Sequence, residues 1–135
     1  MRTYVGVILI NSQCQVLAQH RDDKPTILGP NTWSVLGGAQ EPGELLVNTA
    51  VRELREETGY VLDPSQLQLL TRDEYQTERG VMVQRNVYFA PYDEKQLIQT
   101  LEGQEIRFVS PDEFPKLNFY PGHENFFRLA LQTRK

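Results

Sequence analysis

The chain has 135 residues, 39% hydrophobic and 24% charged, with 14 Lys plus Arg against 18 Asp plus Glu for a formal charge of −4. That length suits one domain, residues 1–135, which buries about 70% of its unfolded-chain surface and needs no covalent staple. Cys14 is the only cysteine, which excludes an internal disulfide and any Cys-rich zinc site. With His20 and His123 the only histidines, a zinc site built from Cys and His alone is implausible. Any metal bound here takes oxygen ligands, which favours Mg²⁺, Mn²⁺ or Ca²⁺. The acidic balance argues against sequence-independent binding of nucleic acid. A small anionic substrate stays compatible, because divalent cations invert the local charge.

Residues 3–10 read as a β-rich apolar strand. Its longest aliphatic run, Val7-Ile8-Leu9-Ile10, is too short to span a bilayer. Met1-Arg2 begins as a signal peptide would, but no small-residue cleavage site follows before Cys14. A buried first strand of a soluble, cytoplasmic protein is therefore expected. Asn11 and Ser12 supply a turn, and residues 16–20 read as an antiparallel partner. Residues 22–31, with Pro25, Gly29 and Pro30, read as a loop. Residues 32–36 read as a short strand ending at Gly37-Gly38.

Residues 44–58 carry the strongest helical pattern: Val47, Ala50, Val51, Leu54 and Thr58 fall on one stripe between Pro42-Gly43 and Gly59. Residues 67–75 and 81–90 look like strands joined across 76–80. Residues 91–100 read as a loop, 105–109 as a last strand, 111–113 as a helical turn, and 124–132 as a closing helix entered through Pro121-Gly122. Strands, helix, strands, helix in that order predict an α/β fold, a mixed sheet with helices on its faces.

The end of the long helix reads Arg52-Glu53-Leu54-Arg55-Glu56-Glu57-Thr58-Gly59. At about 100° per residue, Glu57 lies near +40° and Glu56 near −60° from Glu53, beside an apolar stripe near +110°. Like charges at these spacings cost roughly 0.2–0.5 kcal/mol per pair, and the macrodipole disfavours anions at a helix C-terminus. A solvated acidic face relieved by Arg52 and Arg55 would explain the triplet. A hard cation would too, since Mg²⁺ takes oxygen ligands.

Context separates the two. Gly38-Ala-Gln-Glu-Pro-Gly-Glu44, seven further residues, and Arg52 to Tyr60 closely resemble the signature of the Nudix hydrolases, Gly-x5-Glu-x7-Arg-Glu-aliphatic-x-Glu-Glu-x-Gly-aliphatic. Only Tyr60 departs, standing where an aliphatic residue is usual. The preceding Trp33-Ser-Val-Leu-Gly-Gly38 is similar to the family's lead-in, with Leu36 where proline is more frequent.

The resemblance implies a single Nudix α/β/α sandwich, a mixed β-sheet between helices. It implies Mg²⁺, or Mn²⁺ in its place, bound by Glu53, Glu56 and Glu57 with a backbone carbonyl at Gly37 or Gly38. Arg52 would orient the glutamates, Glu44 would hold Arg52, Gly59 would end the helix, and Arg55 would be exposed. The reaction implied is attack of water on phosphorus in a diphosphate linkage, with Glu53 or Glu102 as general base. Glu102-Gly103-Gln104 resembles a segment of the MutT-like branch whose glutamate approaches the metals.

Phe114-Pro115-Lys116-Leu117-Asn118 is similar to a MutT-like stretch whose asparagine reads an oxidised guanine. Asn118 is accordingly a candidate for base recognition, against a turn-forming role. Phe119 and Tyr120 are candidates for stacking on a base or for packing. Arg21, beside His20 at a strand end, is a candidate for phosphate. His123 reads as a capping or surface residue, Trp33 as core and Cys14 as inert. The substrate expected is a nucleoside triphosphate such as 8-oxo-dGTP, cleaved to monophosphate and pyrophosphate. Nucleotide sugars, ADP-ribose, dinucleoside polyphosphates and RNA 5′ ends are the alternatives. A module that senses nucleotides without hydrolysing them is the alternative of another class. Monomer and homodimer both stay open.

Overall fold

The computed structural model describes residues 1–134. Strands β1 (Arg2–Ile10), β2 (Val16–His20), β3 (Trp33–Ser34) and β4 (Leu36–Ala39) precede helix α1 (Leu46–Thr58). After it come β5 (Gln68–Gln76), β6 (Met82–Pro91), β7 (Glu105–Val109) and helix α2 (His123–Thr133). The path through the sheet runs β3-β2-β1-β6-β5, with β4 also on β1 and β7 also on β2. β1 and β6 are parallel and the other pairs antiparallel, so the sheet is mixed as expected.

β1 is buried on both faces, which its unbroken apolar run requires. Val5, Val7 and Leu9 pack with Ala50 and Leu54 of α1, while Ile8 and Ile10 on the opposite face pack with Phe126, Phe127 and Ala130 of α2. Alternation along a single strand thus builds both cores of an α/β/α sandwich. None of its helices is long and apolar enough to cross a membrane, among the described residues.

Two boundaries differ from the expected ones. The strand expected over residues 32–36 breaks at Val35, whose N–H donates to His123 Nδ1 at 3.0 Å instead of to a neighbouring strand. Gly37 and Gly38 then lie inside β4, paired with Gly6 and Val5 of β1, rather than after a strand. The long helix starts at Leu46, two residues after Glu44. Glu44 instead closes the Pro42-Gly43 turn, its Oε1 accepting the Glu41 N–H at 3.0 Å. Gly59 ends α1 with φ +80, a left-handed cap that only glycine adopts cheaply, its N–H on Arg55 O at 2.8 Å.

Candidate active site

Helix α1 carries the charged residues on the arc next to its buried stripe. Arg52 Nε and Nη2 donate to the two oxygens of Glu44 at 2.7 and 3.1 Å, a bidentate fork. Nη2 also reaches Ala39 O at 3.1 Å, tying the helix to β4. Arg52 foremost, then the Glu41 N–H and the Thr49 hydroxyl, hold the Glu44 carboxyl down to about 2. The remaining Arg52 nitrogen, Nη1, contacts Glu53 at 3.0 Å and Glu56 at 3.3 Å. Arg55 points to solvent.

Glu57 is 2% exposed, and its Oε1 accepts the Gly37 N–H at 3.0 Å. Gly37 has φ +147, and a Cβ there would run into the Val5 carbonyl, so the strand approach to Glu57 requires glycine. A Cβ on Gly38 would collide with the Glu53 carboxylate, so Gly38 leaves that carboxylate its seat. Glu102 arrives from the far side. The loop before β7 returns to cap α1, Gln99 N–H on Thr58 O and Leu101 N–H on Glu57 O, both at 3.0 Å. Gln19 Nε2 then fixes Glu102 O at 3.2 Å. The capping that satisfies the helix's last carbonyls therefore delivers a third carboxylate to the site.

Burial above all, then the Glu102 carboxyl and the charge of Glu53, push Glu57 up to about 10. Burial also raises Glu53, opposed by Arg52 and aided by Glu56 and Glu102. The crowded carboxylates thus take up a proton where no cation balances them. Their oxygen-only donor set and excess negative charge fit a hard dication. Among the described residues no three acidic, His or Cys side chains close round one point. Glu53 and Glu56 are instead both turned to Arg52 Nη1.

Glu53, Glu57 and Glu102 line a cleft of roughly 390 Å³. Arg21, Tyr75, Arg85, Tyr120, His123 and Phe126 line it as well. Arg85 is bound to Asp73 through Nε and Nη2 at 2.8 and 2.7 Å. Arg21 Nε donates to Leu28 O at 2.8 Å, and Arg21 has no carboxylate partner among the described residues. The hairpin tip between β5 and β6 reaches over to the 22–31 loop. Glu78 accepts the Gly29 N–H at 2.8 Å and the Tyr120 hydroxyl at 2.9 Å.

The structure brings Gly38, Glu53, Glu57, Glu102 and Arg21 together along this cleft. Glu56 and Arg52 stand just outside its lining. Asn118 and Phe119 are not brought there. Trp33 forms a parallel bridge with Phe119, and its N–H takes the Asn118 carbonyl at 2.8 Å. That pairing sends Phe119 onto Phe114 and Phe127 and leaves Asn118 exposed. Both residues, expected to meet the substrate, therefore lie outside the lining of this cleft. His20 stacks on Trp33 at 4.8 Å and bonds Asn31, away from the cleft.

His123 is neither a cap nor a surface residue, since its ring turns inward to Val35. Arg85 and Ser34 were also not anticipated. Arg85 had a signal, because it occupies an inward position in the alternating row Val83, Arg85, Val87, Phe89 of a two-face-buried strand. Ser34 is 1% exposed, lines the cleft, and its Oγ has no partner among the described residues. A lone serine in a short strand gave no signal.

A model of the NUDIX domain matches residues 1–130. A Bacillus subtilis protein provisionally named an 8-oxo-dGTP diphosphatase is 31% identical over 111 residues, 81% of this chain and 66% of that relative, just under two thirds of its length. The nucleoside triphosphatase NudI of Salmonella arizonae is 28% identical over 121 residues, 84% of either protein. Among solved structures, a MutT NUDIX hydrolase from Burkholderia pseudomallei superposes with a TM-score of 0.81 at 18% identity, covering 96% of this chain and 97% of that one. At that identity the likeness concerns the fold.

Proposed function

Because the chain belongs to the Nudix hydrolase family, we propose that it hydrolyses nucleoside triphosphates to monophosphate and pyrophosphate with Mg²⁺. The observation that carries this reading is that Glu53, Glu57 and Glu102 line one nucleotide-sized cleft beside Gly38, with the Glu102 carboxyl against Glu57. Glu53, Glu57 and the Gly38 carbonyl would hold the cation, with Glu56 joining from the rim once it leaves Arg52. When bound, the cation lowers the pKa of water and neutralises charge on the leaving oxygens.

The chain's own residues supply the rest. Arg21, with no carboxylate of its own, meets the phosphates. Arg52, fixed by Glu44, positions Glu53 and Glu56. Glu53, held towards Arg52 at 3.0 Å, and Glu102, with no arginine within ion-pair distance among the described residues, are the two candidates for the general base. Water attacks phosphorus, its proton passes to Glu53 or Glu102, and the bond to the bridging oxygen breaks to release pyrophosphate.

The relatives' names favour a triphosphate over a sugar or dinucleotide. The oxidised-guanine substrate loses the support of Asn118, which lies off the cleft, and rests on a relative's name alone. The test is product analysis with Mg²⁺ across canonical and 8-oxo-purine triphosphates, ADP-ribose and dinucleoside polyphosphates. Monophosphate plus pyrophosphate supports the reading, with Glu57→Gln at least about 100-fold slower, beyond the usual cost of losing an outer-shell partner. Orthophosphate as the sole inorganic product would refute it.

A further inference from the structure

Within the reading that the cleft takes a nucleotide, we infer that His123 selects the base, favouring rings that carry an exocyclic oxygen over those that carry an amino group. The inference rests on which hydrogen-bonding groups at this end of the cleft are already used. His123 Nδ1 accepts the Val35 N–H at 3.0 Å. A neutral imidazole has one donor and one acceptor, so the proton sits on Nε2. Nε2 has no partner among the described residues, and the ring lines the cleft. Tyr120 and Phe126 pack against it at 5.1 and 5.4 Å between centroids, fixing its plane.

The carboxylates nearby are already engaged, and Ser34 Oγ, which has no partner among the described residues, can donate as well as accept. Glu78 is taken by Gly29 and Tyr120, and Asp73 by Arg85. The titratable and charged groups facing the ring are Arg85 from β6 and Arg21 at the end of β2, besides Tyr120 from the segment before α2. Burial first, then Arg85 and Arg21, hold His123 down to about 3, so the ring stays a neutral donor at ordinary pH. A base entering here therefore meets donors and positive potential. An oxo oxygen satisfies the Nε2–H. An amino group would leave the Nε2–H without an acceptor from that position of the ring, which is the condition under which recognition discriminates.

The test is equilibrium binding of inosine and adenosine monophosphates, which differ in the oxo and amino groups and need no turnover. The wild-type protein is expected to bind IMP about 10-fold or more tighter than AMP, and His123→Phe to bring that ratio towards one. ¹⁵N-histidine spectra of the unaltered protein give a reading independent of whether the variant folds. His123 is expected as the Nε2–H tautomer, with a resonance that shifts on adding IMP and not AMP. Equal affinities in the wild type, an unchanged ratio in His123→Phe, an Nδ1–H tautomer, or no binding of either nucleotide would each overturn the inference. IMP preference without hydrolysis of any triphosphate would instead refute the hydrolase reading and leave His123 its role.

Discussion

Glu44 and Arg52 are joined by two parallel hydrogen bonds of 2.7 and 3.1 Å across the first turns of helix α1, although Glu44 itself lies before the helix. Thr49 Oγ1 and the Glu41 N–H also donate to the same Glu44 oxygen, at 2.7 and 3.0 Å. The carboxylate is thus pinned from three sides, and Arg52 is left with one nitrogen for Glu53 and Glu56. Arg52→Lys keeps the charge but cannot form the fork and reach Ala39 O as well. Both Glu44→Gln and Arg52→Lys are expected to lower activity about 10–100-fold by loosening Glu53 and Glu56, the proposed metal ligands. A Mg²⁺ titration of kcat/KM checks this, since the half-saturating concentration should rise in both variants.

Gly38 gives a second prediction, because a Cβ there would occupy the seat of the Glu53 carboxylate. Glu53 is half-buried and has a flexible stem, so the fold should accommodate Gly38→Ala by turning that side chain outward. The expected result is a near-unchanged melting temperature with activity down at least about 10-fold, as for a disturbed outer-shell contact. Thermal denaturation and steady-state kinetics on one preparation separate the two effects.

Tyr60, the position that departs from the family signature, is 1% exposed and packs in the α1-side core, while its hydroxyl accepts the Asp93 N–H at 3.0 Å. The departure is a packing choice that also anchors the loop leading to Glu102. Tyr60→Phe should cost about 0.5–1.5 kcal/mol, the net worth of the hydrogen bond to the Asp93 N–H. Urea denaturation measures it, and an unchanged midpoint would show that water replaces the hydroxyl.

The carboxylate cluster was legible in the sequence because a helix fixes the angles between Glu53, Glu56 and Glu57 regardless of what surrounds it. Glu44 and Arg52 were legible through the family signature. The far end of the cleft was not, because it is assembled by tertiary bonds. The positions of Asn118, Phe119 and Tyr120 follow from the bridge between Trp33 and Phe119, and the orientation of His123 follows from a break in the strand at Val35. Neither the bridge nor the break leaves a periodic trace. Arg85 did leave one, as a charged residue in an apolar register whose partner, Asp73, comes from β5.

Glu57 couples the site to stability. Its carboxyl is raised from 4.5 to about 10 in the folded chain, by burial before all else. Between those values the folded state holds a proton that the unfolded state has released, so stability must fall as pH rises across that window. The slope approaches at most about 1.4 kcal/mol per pH unit from this one group. With EDTA present, the melting temperature is therefore expected to decline from pH 7 to pH 9, above the range in which His123, lowered from 6.5 to about 3 by folding, contributes the opposite slope. Mg²⁺ should flatten the decline, because a dication that replaces the proton stabilises the ionised form and binds the native state alone. Melting curves at several pH values, with EDTA and with Mg²⁺, check both halves. Parallel profiles in the two conditions would show that the ion does not reach Glu57.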